Sequence, residues 1–420
     1  MDYKRIDKLA YKLHLIKTDK FKSNYIEICF KRKVKKEEIT LRNMLSNILI
    51  ESSKNYPTNR LMEIRKEELY GTGLGISSYI TGNYNLISIY SCFLDSKYTD
   101  DENFKEVLNY IFEIIFNPNV KNNCFNEQSF LNAKKIVEEN IKLHKEDPNV
   151  YSFKRCLSEM DDKILSYDSC GYLEDLEKIT PESLYEYYQD FLKKDIIDIF
   201  IIGNQSEEEI NKIFTSDFLV NTIKREKINH YVEHKKVRKR PKKVIETKDY
   251  EQSSLVIGFK LKDLTDFERK YVSVIYNYIL GGATDSLLFN EVREKNSLCY
   301  SVYSSMRLVN NIMTIRAGID KKNLDKTVKI IKKCLKQISL GNFEEEKIEA
   351  GKTTYISSFD EIEDSLISIC NMYISHEYLG YDLIDERKSE IVKVTKEDIM
   401  KFSEKIYMDT IFFLEGDSHE

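Results

Sequence analysis

Glycine and proline are scarce in this sequence, 14 and 5 among 420 residues, too few for long disordered tracts. No stretch approaches the roughly 20 apolar residues that a bilayer-crossing helix requires, so membrane association is not expected. The opening Met1-Asp2-Tyr3-Lys4-Arg5 leads into mixed polar and apolar residues, which speaks against a secretory leader and for a cytoplasmic location. The eight cysteines include no Cys-x-x-Cys pair, and several, such as Cys29 and Cys334, fall on apolar faces. That is the pattern of small buried hydrophobes in a reducing compartment, not of a disulfide or metal framework. Net charge is also nearly absent: 65 basic against 70 acidic side chains leave −5, no overall attraction for nucleic acid or an anionic membrane.

What is present is enough apolar material for two cores. A single core stops growing at roughly 250–300 residues, and 28 Tyr, 21 Phe and an apolar fraction of 41% can fill two domains of about 200 residues. The first half opens with a strand at Tyr25–Phe30 and two helical stretches near 38–52 and 58–69. A hairpin follows, Ile76–Ile80 and Tyr84–Cys92, around Gly82-Asn83. Phe104, Val107, Leu108, Ile111, Phe112 and Ile115 then mark one face of a helix that stops before Pro118. The order recurs in the second half: a strand at 254–260, helices near 266–280 and 285–295, strands at 298–307 and 311–318 meeting at Asn310-Asn311, and a long helix with the face Leu324, Val328, Ile331, Leu335 and Ile338.

The two halves also end alike. Thr180-Pro181-Glu182 starts a helix that leads to the strand Ile197–Ile202, and Thr395-Lys396-Glu397 starts one that leads to Thr410–Leu414, each with Thr placed as N-cap and an acid in the first turn. A period of about half the chain indicates a duplicated domain, not a solenoid. The expected fold is therefore α+β: two homologous domains, residues 1–218 and 247–420, each an antiparallel or mixed sheet with helices packed on one face. The charged stretch 219–246, centred on the basic run Lys235–Lys243, is expected to be a solvated linker.

Chemistry concentrates in the second domain. Leu280–Tyr303 reads Leu-Gly-Gly-Ala-Thr-Asp-Ser-Leu-Leu-Phe-Asn-Glu-Val-Arg-Glu-Lys-Asn-Ser-Leu-Cys-Tyr-Ser-Val-Tyr. This resembles the pitrilysin/insulinase peptidases, whose C-terminal domain carries Gly-Gly…Ser-x-Leu-Phe-x-x-(Leu/Val)-Arg-Glu-Lys-x-x-Leu-x-Tyr-Ser-Val. The match is close over about 25 residues, and the duplicated α+β unit extends it loosely over the chain; one departure is Asn296-Ser297, where the family usually has a glycine. The resemblance implies that Arg293 and Tyr300 grip a substrate peptide opposite a zinc site. A guanidinium and a phenol can both donate hydrogen bonds to a peptide carbonyl, and donors aimed at a developing oxyanion are worth roughly 10²–10³-fold each.

The family's zinc site, an inverted His-x-x-Glu-His helix in the first domain, has no match. The aligned residues are Asn43-Met44-Leu45-Ser46-Asn47, with Asn43 and Asn47 in place of both imidazoles and Ser46 in place of the catalytic carboxylate. Zinc takes imidazole, thiolate or carboxylate donors, which neutral amides and a hydroxyl do not replace. The distal glutamate position falls near Leu131 and Ala133, a few residues from Glu138 and Glu139. A literal His-x-x-Glu-His does occur at His230-Tyr231-Val232-Glu233-His234, but beside the basic run and without apolar periodicity to dock a helix, so it is read as linker or short edge strand. Gly71-Thr72-Gly73-Leu74-Gly75 precedes a strand and is read as a turn, not a phosphate loop. The basic run has no interleaved aromatics to bind single-stranded nucleic acid.

These readings converge on a non-catalytic subunit of a two-chain zinc metallopeptidase. It would carry no cofactor itself, bind extended peptide through Arg293 and Tyr300, and pair with a homologous chain that holds the zinc. The alternative is a structural or peptide-binding scaffold that keeps the fold without chemistry. A third reading, a self-sufficient peptidase, would need zinc on His230, Glu233 and His234.

Overall fold

The computed structural model describes residues 1–100, 102–160, 163–214, 229–250 and 252–416, so residues 219–228 of the expected linker lie outside the described residues. The chain divides into two compact units. Met1–Leu143, Asp168–Asn229 and Leu366–Ile374 form the first; His144–Tyr167, His230–Ser365 and Ser375–Glu420 form the second. The units are thus not simply the two halves of the chain, because each half lends the other a segment.

In the first unit, strands β1 (Asp2–Asp7), β2 (Tyr11–Lys17), β3 (Ser23–Lys33), β4 (Gly73–Thr81) and β5 (Tyr84–Leu94) precede a short ribbon, β6 (Val120–Lys121) with β7 (Cys124–Phe125), and then β8 (Ile196–Gly203). The main sheet has the order β1-β2-β8-β3-β5-β4. Its register is fixed by apolar rows: Leu13, Ile199, Ile28, Ile89 and Ile76 stand side by side across five strands. A slip of one residue would turn every member of that row away from the core. Against this face packs the helix Asn103–Phe116, with Val107, Leu108, Ile111, Ile114 and Ile115 fully buried.

The second unit contains β9 (Lys242–Lys248), β10 (Ser254–Leu261), β11 (Cys299–Arg307), β12 (Ile312–Ile319) and β13 (Ile406–Gly416), in the order β11-β12-β10-β13-β9. Read from β4 to β2, the first sheet repeats this arrangement strand for strand: in each, the last strand lies parallel to one neighbour (β2, β9) and antiparallel to the other (β3, β10). The helices that close each half begin as expected, with Thr180 accepting from the Ser183 N–H and Thr395 from the Asp398 N–H, both at 3.2 Å. A buried ion pair is duplicated as well. Lys31 on β3 meets Asp198 on β8 at 3.0 Å, and Lys260 on β10 meets Asp409 on β13 at 3.2 Å.

One expectation needs an addition and two need correction. Helices cover one face of each sheet, but the opposite face is not bare. In the first unit Leu366–Ile374 lies against it, bringing Tyr373 to 4.6 Å from Tyr3 between ring centroids; in the second, the helix Pro148–Glu159 packs Phe153, Cys156 and Leu157 onto Val256 and Phe412. Cys29 faces not the apolar core but this second side, where its thiol lies 3.7 Å from buried Glu27. The described part of the linker is also not a solvated tether. Its end forms β9, the parallel edge strand of the second sheet, Arg238 donates to Asp409 at 2.6 Å, and His230, Val232 and His234 are buried, the Val232 N–H donating to the Val309 carbonyl at 2.9 Å. Among the described residues no helix is long and apolar enough to cross a membrane.

Candidate functional site

The segment that carries Arg293 and Tyr300 is a helix, a turn and a bulged edge strand. From Phe289 to Glu294 the helix widens to π geometry, with the Lys295 N–H donating to the Asn290 carbonyl five residues back at 2.9 Å. Such widened turns recur at functional sites. Leu288 and Val292 face the core, which leaves Arg293 on the outer side.

The chain then reverses at Ser297, whose N–H donates to the Arg293 carbonyl at 2.9 Å and whose φ of +49° is left-handed. That conformation costs an L-residue and favours glycine. The departure at Asn296-Ser297 therefore keeps the turn and changes only the residue that makes it. Gly281 has a different task. A Cβ there would sit 2.7 Å from the Ser304 backbone nitrogen and 2.8 Å from Leu288 Cδ1, so only glycine lets this helical run close onto β11.

Beyond the turn, the pairing of β11 with β12 shifts register between Cys299 and Val302. Bulges of this kind re-aim side chains. Tyr300, in the bulge, is 82% exposed, whereas Val302 returns to the core. The Arg293 guanidinium lies 5.4 Å from the Tyr300 ring centroid and 4.7 Å from that of Phe289, with Glu294 3.6 Å from its Nε. The fold thus brings the two residues together, Tyr300 exposed and Arg293 partly exposed. Tyr300 borders a cavity of about 770 Å³ whose other walls include Gln252, Ser297, Asp320 and Lys321. Asp285, in the loop before the helix, is tied to Lys347 at 2.7 Å, and that partner holds its carboxyl below the usual range. Burial pushes the Cys299 thiol up, against the pull of Arg293, so it is not an activated nucleophile.

The helix that aligns with the expected zinc-site motif is Lys36–Glu51. Asn43 Nδ2 donates to the carbonyls of Ile39 at 2.9 Å and Ser169 at 2.8 Å. Ser46 Oγ and Asn47 Nδ2 both donate to the Asn43 carbonyl, at 2.9 and 2.8 Å. All three side chains spend their donors on main-chain oxygens, and none presents an imidazole or carboxylate. This donor set does not fit zinc. Next to it, Arg42 is fully buried on Asp195 at 2.8 Å and on the Phe30 carbonyl at 2.9 Å, an ion pair that pins the helix to the sheet. Glu138 and Glu139 lie on the helix Glu127–Glu146 in surface pairs with Lys142 and Lys135, and Leu131 is exposed while Ala133 is buried.

His230, Glu233 and His234 do not form a helix. Their side chains take separate partners: His230 stacks on Tyr378 at 5.1 Å, Glu233 lies 3.5 Å from Arg269, and His234 Nε2 meets the Asn310 carbonyl at 2.9 Å. The buried pairs Lys31–Asp198 and Lys260–Asp409 were not anticipated, although each aspartate interrupts an apolar final strand and each lysine follows a phenylalanine. Arg307 and Arg316, discussed below, gave no signal because their proximity depends on the pairing of β11 with β12.

Comparisons with known proteins bear on the fold and on the family that the chain resembles. Residues 178–355 match a family model described as the Peptidase M16 inactive domain. A Bacillus subtilis (strain 168) protein named probable inactive metalloprotease YmfF is 29% identical over 416 residues, covering 96% of this chain and 95% of that one. From the same organism, an uncharacterized zinc protease, YmxG, is 26% identical over 259 residues, 60% of each chain. Among solved structures, a conserved protein from Enterococcus faecalis V583 superposes over 100% of both chains with a TM-score of 0.93 at 26% identity. A protease from Helicobacter pylori does so over 99% of both with a TM-score of 0.81 at 14% identity, a likeness of fold alone.

Proposed function

We propose that this chain, similar to the M16 inactive domain over residues 178–355 and carrying Asn43, Ser46 and Asn47 where the zinc-site residues of such peptidases align, is the substrate-gripping, non-catalytic subunit of a two-chain metallopeptidase. The observation that carries the reading is the joint placement of Arg293 and Tyr300, one on a widened helical turn and the other exposed in a strand bulge that borders a cavity. A peptide lying extended along a free sheet edge would take main-chain hydrogen bonds from the strand. Its scissile carbonyl would accept from the guanidinium and the phenol. As the carbonyl oxygen gains charge, those two donors are already in position, which is where catalytic stabilisation is largest. Zinc, and the hydrolytic step that depends on it, would belong to a homologous partner carrying His-x-x-Glu-His.

The test is reconstitution. This chain is mixed with a zinc-bearing homologue from the same cell, and turnover of an extended peptide is measured for each chain alone and for the pair. Activity is expected only in the mixture, and Arg293→Ala or Tyr300→Phe should lower it at least tenfold. Unchanged turnover in both variants would refute the role assigned to the pair. The scaffold reading draws support from the similarity to a probable inactive metalloprotease over nearly its whole length; it predicts that neither substitution affects peptide binding.

A further inference from the structure

Among the described residues, two arginines on the edge strand of the second sheet and its neighbour have no acidic partner. Arg307, near the end of β11, and Arg316, on β12 opposite Tyr303, stack on the same ring: their guanidinium carbons lie 4.4 and 3.8 Å from the Phe153 centroid. Among the described residues neither guanidinium meets a carboxylate. Arg316 Nε is shielded from solvent and has no hydrogen-bond partner. Arg307 is exposed. Two like charges held together by one aromatic ring, without a counter-charge, are destabilising unless a ligand supplies it.

The surroundings suit a carboxylate. Arginine binds that group through paired N–H donors, and Tyr303, opposite Arg316 and 43% exposed, brings a phenol to the same edge. Ser305 and Thr314, paired across the same two strands, lie between the two arginines in register. Position along the strand also matters. Arg307 stands seven residues from Tyr300 on β11, roughly 20 Å at the rise of an extended strand, so an extended peptide gripped at Tyr300 can reach it.

We propose that Arg307 and Arg316 form a carboxylate subsite that receives an aspartate or glutamate side chain of the bound peptide, several residues from the bond held by Arg293 and Tyr300. The inference rests on the peptide-binding reading above and names the substrate class: peptides with an acidic residue at a fixed distance from the cleavage point. An edge strand presents alternate positions to one face, so the preference should fall on one peptide position or on two positions separated by two.

The test uses fluorophore-labelled, otherwise neutral ten-residue peptides in which a single glutamate is walked along the sequence, each with a glutamine twin. Binding to the full chain is measured by anisotropy, with and without inorganic phosphate. At the preferred position the glutamate peptide is expected to bind at least tenfold more tightly than its twin. The ratio should fall to within about twofold in Arg307→Gln and Arg316→Gln, whose unfolding midpoints are measured alongside to exclude misfolding. Equal affinity of glutamate and glutamine peptides at every position would overturn the subsite while leaving peptide binding intact. If phosphate binds at the pair while peptide charge has no effect, the site takes free anions and the peptide assignment is wrong. If no peptide binds at all, the peptide-gripping reading falls, and the subsite with it.

Discussion

Replacing Gly281 with alanine sets two effects of known size against each other. The residue lies in a helical run, where alanine is favoured over glycine by up to about 1 kcal/mol. The new methyl, however, would sit 2.7 Å from the Ser304 backbone nitrogen and 2.8 Å from Leu288 Cδ1 and Ser304 Oγ. Leu288 has rotamers available, but the Ser304 nitrogen belongs to a strand paired with β12 and cannot yield alone. Overpacking costs about 1–3 kcal/mol, and against a backbone atom that cannot yield the upper part of that range, about 2–3 kcal/mol, applies, so a net loss of about 1–2 kcal/mol is expected after the helical gain. For a unit of this size that is a fall of about 2–8 °C in unfolding midpoint, measured by circular dichroism. Because the displaced strand carries Tyr300, peptide turnover in the reconstituted pair should fall further than the lost stability explains. A variant as stable as the parent, or more so, would refute the claim that the glycine is required by the approach of β11.

Ser297→Gly should stabilise the chain by a few tenths to about 1 kcal/mol, since relief of a left-handed serine outweighs the added freedom of the unfolded chain; a lower urea midpoint would count against that turn geometry. Asp195→Asn leaves the fully buried Arg42 without its counter-charge and should cost about 3–5 kcal/mol, whereas the double change Arg42→Met, Asp195→Leu should recover most of the loss in urea unfolding. Acid should loosen the same region. Burial raises the pKa values of Glu38 and Asp190, but Lys35 and Arg32 for the first and Lys194 and Arg32 for the second outweigh it, so both carboxyls titrate below their usual range. A depressed folded-state pKa contributes stability above the unfolded value, about 4, that is lost as pH falls through the folded one. Arg32→Met should therefore flatten the decline in urea midpoint below about pH 4.5; an unchanged slope would show that these carboxylates do not drive it.

The duplication was legible because its signals are local. The apolar faces of Asn103–Phe116 and Leu324–Ser339, the Thr180 and Thr395 caps and the two hairpins each need only a dozen neighbouring residues to declare themselves. That Asn43, Ser46 and Asn47 offer no imidazole or carboxylate was legible for another reason, since it rests on which atoms those side chains possess. What escaped depends on distant partners. The stretch around His230–His234 has no apolar period, yet it is buried because it docks on the distant turn between β11 and β12, and charge alone gave it the look of a tether. The passage of His144–Tyr167 and Leu366–Ile374 into the opposite units leaves no mark in local pattern. Nor did Arg307 and Arg316 look related until strand pairing set them over Phe153.

The position of β8 and β13 within their sheets governs the order in which the chain can fold. Each is the last strand of its sheet to leave the ribosome, yet each lies inside its sheet, β8 between β2 and β3 and β13 between β9 and β10. Until residue 203 has emerged, the hairpin of β1 and β2 has no connection to the β3-β5-β4 ribbon, and both present unpaired strand edges to other chains. Closure joins segments some 180 residues apart in sequence, the kind of distant pairing that slows folding. A nascent chain stalled before Ile196, or one truncated before Ile406, is therefore not a smaller version of the protein but an open template for aggregation.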